Sequence, residues 1–197
     1  MLAARELFAD RGLDVTMDEI ARHAGVGVGT AYRRFENREA LVAALFEERM
    51  ADYVALAEDA LADPDAWNGL TTFMERSVAM QAADRGLKDL LMRHERAVDR
   101  ITRMRHRVRP LMEELIRRAQ REGALRPDVA APDLALLSVM LGQVIDFSHD
   151  VAPELWRRYL ALLLDGLRTR REDTAALPVA GMTRAQLDAA MSGWKRR

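Results

Sequence analysis

Twenty residues constrain this chain more than any others: "TMDEIARHAGVGVGTAYRRF", residues 16–35. Thr16 followed three positions later by Glu19 predicts a capping box, each side chain satisfying a free backbone N–H at a helix start. Met17, Ile20, Ala21 and Ala24 then recur at helical spacing, and Gly25 can supply the left-handed residue that ends the helix. A second short helix is predicted from about Val28 to Phe35, after which Asn37 caps a longer one. Two short helices with so little chain between them must cross at once. Ala21, Ala24 and Ala31 are small enough to allow that crossing, and Ile20 and Val26 are apolar where the pair must pack on its support.

Gly25, Gly27 and Gly29 alternate in this stretch and raise the question of a phosphate-binding loop. A dinucleotide fingerprint needs a strand before its glycines and G-x-G-x-x-G spacing. Here a helix precedes them, and the last glycine position holds Thr30. The other phosphate loop ends in Gly-Lys-Ser/Thr, and no Lys lies nearby. The geometry left is a helix-turn-helix, which lays its second helix in the major groove of DNA. That helix would expose Thr30, Arg33 and Arg34, with Tyr32 beside them. Hydroxyl, phenol and guanidinium groups bind phosphates, and Arg also reads guanine edges.

Charge is distributed to suit this reading. The net charge of −1 excludes a globally basic nucleic-acid binder. Residues 1–50 hold nine acids and seven Arg, yet residues 22–38 hold four Arg against one acid, Glu36. Any affinity for DNA is therefore local.

Elsewhere helical periodicity dominates. Helices are expected over 3–11 and about 38–62, 66–84, 87–94, 97–122, 132–149 and 153–171, with a last short one capped by Thr183. No window alternates with period two. The fold class is all-α, with about nine helices and a short extra one at the C-terminus. With no Cys among 197 residues, disulfides, thiolate catalysis and Cys-bound zinc are excluded, and a reducing, cytoplasmic compartment is expected. Arg5 and Glu6 interrupt what a signal peptide would need as an apolar stretch. No apolar run approaches the ~20 residues of a spanning helix, so no membrane association is expected. The four His show no zinc-ligand spacing, and no nucleophile–base pair suggests catalysis. Neither a cofactor nor an enzymatic activity is expected.

"ARELFADRG" followed by "VTMDEIARHAGVGVGTAYRRFENREALVAALFEERM" resembles the N-terminal DNA-binding domain of the TetR family of bacterial repressors, without a gap over about residues 3–50. The resemblance implies a three-helix head at 1–45, a helical ligand-binding and dimerisation body at 46–172, and a tail at 173–197. It also implies a homodimer on a double-stranded, pseudo-palindromic operator, released by a small-molecule effector. Carried over residue by residue, Thr30, Tyr32 and Arg38 would hold phosphates, Gly27, Val28, Arg33 and Arg34 would face the groove, and Thr16 joins the DNA-binding set. Three departures stand out. Gly27 removes a hydroxyl cap common at that position, Val28 replaces a commonly polar base reader, and the sequence starts inside the first helix, so either the basic arm common before it is absent or the true start lies upstream.

Beyond about residue 60 periodicity carries the reading. "PDLALLSVMLGQVIDF" and "PELWRRYLALLLDGLR" are apolar on more than one stripe, so they must be buried on more than one side. Either they are central helices of a monomer or they form a dimer face, for which Leu136, Met140, Trp156, Tyr159, Leu163 and Leu167 are candidates. Phe73, Met80, Met104, Met112, Met140 and Gln143 are candidates for lining an effector pocket, Met being adaptable. Ordinary core filling explains the Met equally well, and an interhelical hydrogen bond would explain Gln143. Residues 93–109 hold seven Arg against two acids; a solvated helix face and an entrance for anionic ligands are both open.

Overall fold

In the computed structural model, residues 1–11, 15–83 and 97–169 are described, and among them every regular element is a helix. They are α1 (Leu2–Arg11), α2 (Met17–His23), α3 (Val28–Arg34), α4 (Arg38–Ala62), α5 (Ala66–Ala83), α6 (Ala97–Arg121), α7 (Ala131–Ser148) and α8 (Leu155–Leu167). The helices expected at 87–94 and after Thr183 lie outside the described residues. These helices fall into two compact units, one holding the described parts of Met1–Ala55 and Ala83–Val108, the other Leu56–Ala82 and the described part of Arg109–Arg197.

The first unit is built on a small apolar core. Ala4 and Phe8 of α1, Val15, Met17 and Ile20, and Leu41, Val42 and Leu45 of α4 are all buried together. Ala31 and Phe35 pack against this cluster from α3. Burying an aromatic or branched side chain stabilises by roughly 1.5–3 kcal/mol, so three short helices need this shared core. Ion pairs tie its rim: Arg11 to Glu19 at 2.7 Å and Arg5 to Glu48 at 3.0 Å.

Local chemistry sets where the helices stop. The capping box at Thr16 and Glu19 forms. Gly25 takes φ +67°, its N–H donating to Arg22 O at 3.1 Å and that of Val26 to Ala21 O at 3.0 Å. Paired bonds of this kind close a helix through a left-handed residue that glycine adopts without strain. Ala21 is buried at the crossing of α2 and α3 and Ala31 is half-buried, but Ala24 and Val26 sit exposed in the turn. The turn carries both out of the packed seam, contrary to the expectation from spacing.

The second unit contains the α4–α5 joint. Arg118 of α6 donates to Leu61 O at 2.5 Å and to Asp63 O at 2.8 Å, and Glu122 accepts from the Ala66 N–H at 3.1 Å. One side chain thus satisfies carbonyls left over at the end of α4, and the other an amide left over at the start of α5. α7 and α8 pack against each other. The chain leaving α6 pairs with the end of α8, Arg126 N–H to Leu167 O at 3.0 Å and Thr169 N–H to Ala124 O at 3.1 Å.

Candidate nucleic-acid interface

α3 is held on one side only. Its start at Gly27 (φ −64°, ψ 141°) has no side-chain cap, and none of its residues is fully buried. Ala31 and Phe35 anchor it to the head core, leaving Val28, Thr30, Tyr32, Arg33 and Arg34 exposed. Asn37 then starts α4 by accepting the Ala40 N–H at 2.8 Å.

The arginines of residues 1–50 divide into two groups. Arg5 pairs with Glu48, Arg11 with Glu19, and Arg49 with Asp52 at 3.6 Å. Arg22, Arg33, Arg34 and Arg38 have no carboxylate partner among the described residues. Arg34 lies over the Phe35 ring at 5.5 Å and Arg38 over the Phe8 ring at 5.8 Å, each held by an aromatic face rather than a counterion. Most of the acids counted against this head lie elsewhere on it, which leaves the cations of α3 and its flanks available to an external anion. Local charge found this patch in the sequence; its division into paired and unpaired groups needed the structure.

Thr16 is placed differently from the other expected DNA contacts. Its hydroxyl donates to Glu19 Oε2 at 2.9 Å while accepting the Glu19 N–H, and its own N–H donates to the same carboxylate at 2.8 Å. A hydroxyl has one proton to donate, and this one is committed to the cap, so Thr16 holds the helix rather than a phosphate. The Thr16 amide, the Arg11 guanidinium and the Thr16 hydroxyl together lower Glu19 from 4.5 to about 2.

A carboxylate depressed in the folded state stabilises fully above its unfolded value, and that contribution is lost as pH falls towards the folded one. Between about pH 4.5 and 2 the wild-type chain should therefore lose stability through Glu19. Glu19→Gln keeps the capping geometry without the charge. Its thermal midpoint should fall less over the same interval. Equal falls in both proteins would show that the cap carries no charge-dependent stability.

In the second unit α7 shows two faces. Leu134, Leu141, Ile145 and Ser148 are buried, whereas Leu136 is 62% exposed, Val139 58% and Met140 55%. Gln143 continues that outer stripe and is exposed. Met140 and Gln143 therefore do not line an interior with the buried Phe73 and Met112. Helical spacing places Gln143 with Leu136, Val139 and Met140 on the side opposite the buried Leu134, Leu141 and Ile145. Met80 is half-buried, and the side chain of Met104 lies outside those described.

On α8, Tyr159 and Leu162 are exposed and Leu163 and Leu167 half-buried. Trp156 is only 1% exposed and belongs to its own protomer's interior, so it cannot face a partner. Arg157 covers its ring at 4.4 Å and binds Glu75 of α5 at 2.6 Å. The indole N–H of Trp156 has no acceptor among the described residues. Periodicity missed Val139 and Leu162 because it treats every apolar position of a two-sided helix alike. In the basic segment Arg103 and Arg107 are exposed and Arg109 pairs with Glu113 at 3.0 Å; Arg93 and Arg96 lie outside the described residues, as do the side chains of Arg100 and Arg105.

A short helix held on one side only, its exposed cations without carboxylate partners among the described residues, on a three-helix head in a chain that also has a helical second unit, defines a helix-turn-helix DNA-binding regulator. Residues 1–45 match the family described as bacterial regulatory proteins, tetR family, and residues 63–169 match the SbtR-like transcriptional regulator C-terminal domain. The chain belongs to the TetR family. It is similar to a solved TetR transcription regulatory protein from Mycobacterium vanbaalenii, with 34% identity, a TM-score of 0.66, and coverage of 85% of this chain and 91% of that one. The TetR transcriptional regulator SCO0520 of Streptomyces coelicolor is similar at 28% identity and a TM-score of 0.68, over 85% of this chain and 95% of that one. Among curated relatives, the fatty acid metabolism regulator protein of Bacillus subtilis is 31% identical over 87 residues, 43% of this chain and 45% of that one. The chain spans less than half the length of the curated relatives it matches.

Proposed function

We propose that this chain is a cytoplasmic, homodimeric repressor that α3 holds on a pseudo-palindromic operator until a small molecule binds the body. The head is taken as residues 1–45 and the body as 46–172. One observation carries the reading: among the described residues Arg22, Arg33, Arg34 and Arg38 have no carboxylate partner, on a head whose other arginines are neutralised. Arg33 and Arg34 face the groove with Gly27 and Val28, while Thr30, Tyr32 and Arg38 hold backbone phosphates. Thr16 fixes the helix that supports them.

The outer stripe of Leu136, Val139, Met140, Tyr159 and Leu162 is the proposed dimer face, with Leu163 and Leu167 at its edge. α7 is long and apolar enough to cross a membrane by length and composition. Its opposite face is packed against protein, and Asp133 and Asp146 lie within it, which favours a second protein surface over lipid. Within the body the unsatisfied Trp156 N–H supports effector binding, since a buried donor without an acceptor gains from any ligand oxygen that reaches it. Phe73, Met80 and Met112 are the other candidates for that site. Binding rather than turnover is the proposed activity.

Sequencing of fragments that the purified chain retains from a random duplex pool tests this reading. An inverted repeat is expected, its half-sites centred ~34–36 Å or a multiple apart, as two symmetric recognition helices require. Recovery of fragments without a recurrent motif would overturn the assignment of α3 to the groove.

A further inference from the structure

The alternation Gly25-Val26-Gly27-Val28-Gly29 leaves two valines on an otherwise bare stretch of backbone, and the structure separates their roles. Val26 belongs to the turn. Its N–H closes on Ala21 O beside the left-handed Gly25, and its side chain, 44% exposed, stands ahead of α3 rather than on it. Val28 has no comparable duty. It is the first residue of α3 and is 41% exposed. A Cβ added at Gly29 would meet nothing within 4 Å, and one at Gly27 only Thr30 Oγ1 at 3.8 Å. The first turn of α3 itself therefore presents Val28 as its one branched apolar side chain, in open space.

We propose that Val28 reads the 5-methyl group of a thymine in each half-site. This rests on the reading of α3 as the groove helix, whose N-terminal residues approach base edges. Valine has no donor or acceptor, so it gains nothing from the N7, O6, N6 or N4 groups that distinguish the other edges. The thymine methyl is the one apolar group in the unmodified major groove. Valine on a helix is also stiff at χ1, so its methyls point in a direction fixed before binding. Polar base edges pressed against it lose water without gaining a hydrogen bond, which disfavours other bases at that position. Gly27 and Gly29, which flank it, carry no side chain that could reach the same edge.

The test starts from the selected duplex and replaces each thymine in turn, symmetrically in both half-sites, with deoxyuridine. That change deletes the methyl and keeps every hydrogen-bonding group. Binding of wild-type and Val28→Ala proteins is measured by fluorescence anisotropy, with thermal melting to verify that the variant is folded. One position is expected at which deoxyuridine weakens wild-type binding about fourfold per half-site, on the order of fifteenfold for both. In Val28→Ala the same replacement is expected to cost less than about twofold, the pair being coupled. A flat scan, an equal penalty in both proteins, or a half-site without thymine overturns the role of Val28 while specific recognition by α3 stands. Absence of any recurrent motif overturns the groove reading, and Val28 falls with it.

Discussion

Gly69→Ala is expected to destabilise the second unit more than any exposed substitution. Gly69 is buried in α5, and a Cβ there would stand 2.3 Å from Ala60 O, 3.1 Å from Asp63 Cβ and 3.2 Å from Ala60 C. The obstructing oxygen belongs to the α4 backbone and cannot rotate aside. To admit one methyl, α5 must withdraw or the turn must re-form, and Arg118 and Glu122 hold that turn from α6. Overpacking costs typically 1–3 kcal/mol, occasionally more; a backbone obstruction places this variant at or above ~3 kcal/mol. The helix-propensity gain of ~1 kcal/mol from Gly to Ala does not offset it. For a chain of this size that corresponds to a thermal midpoint lower by about 6–12 °C.

Gly142→Ala is the control. Its added Cβ would lie 3.2 Å from Gln81 Oε1, the far end of a flexible side chain. Its midpoint should stay close to wild type in either direction. If both variants melt alike, α4 and α5 do not approach as closely as described.

The largest functional effect is expected at Arg33 and Arg34. Each is exposed on α3 without a carboxylate partner among the described residues, so alanine removes a cation without leaving a described acid unpaired. Loss of a bidentate base contact costs ~1–3 kcal/mol of discrimination, or roughly 5–150-fold per half-site, and a symmetric dimer incurs it twice. Arg33→Ala and Arg34→Ala should therefore bind the selected repeat far more weakly while binding unrelated duplex nearly as before. Arg38→Ala should differ in kind. A lost phosphate contact weakens all sequences alike and reduces the slope of log K against log salt by about 0.9 per contact. Anisotropy titrations at several salt concentrations separate the two patterns. If none of the three variants alters binding, the cationic patch is not the DNA surface.

The head was legible because its signals are local. The capping box, the left-handed Gly25 and the Asn37 start each involve residues within five positions, and the structure has all three. Ala24 and Val26 were misplaced because helical spacing cannot follow a chain once it leaves the helix. Errors grew in the body, where α7 and α8 are apolar on two sides and spacing does not say which side meets its own protomer. Trp156 went to its own protomer's interior rather than to a dimer face, and Gln143 to the surface rather than to a pocket. Gly69 and Arg118 carried no sequence signal. Gly69 matters through a carbonyl nine residues earlier, and Arg118 through carbonyls 55 and 57 residues away.

The turn between α4 and α5 has the outward marks of a permissive loop, short, polar and centred on Asp63-Pro64-Asp65. Exposed turns of that composition are the usual choice for grafting a peptide tag or opening a chain for circular permutation. This one is unsuitable. The carbonyls of Leu61 and Asp63 and the amide of Ala66 are bonded to a third helix rather than to water, so inserted residues would separate the segment from partners that cannot follow. Although it lies on the surface, the turn is built as interior, and engineering of this regulator should treat it so.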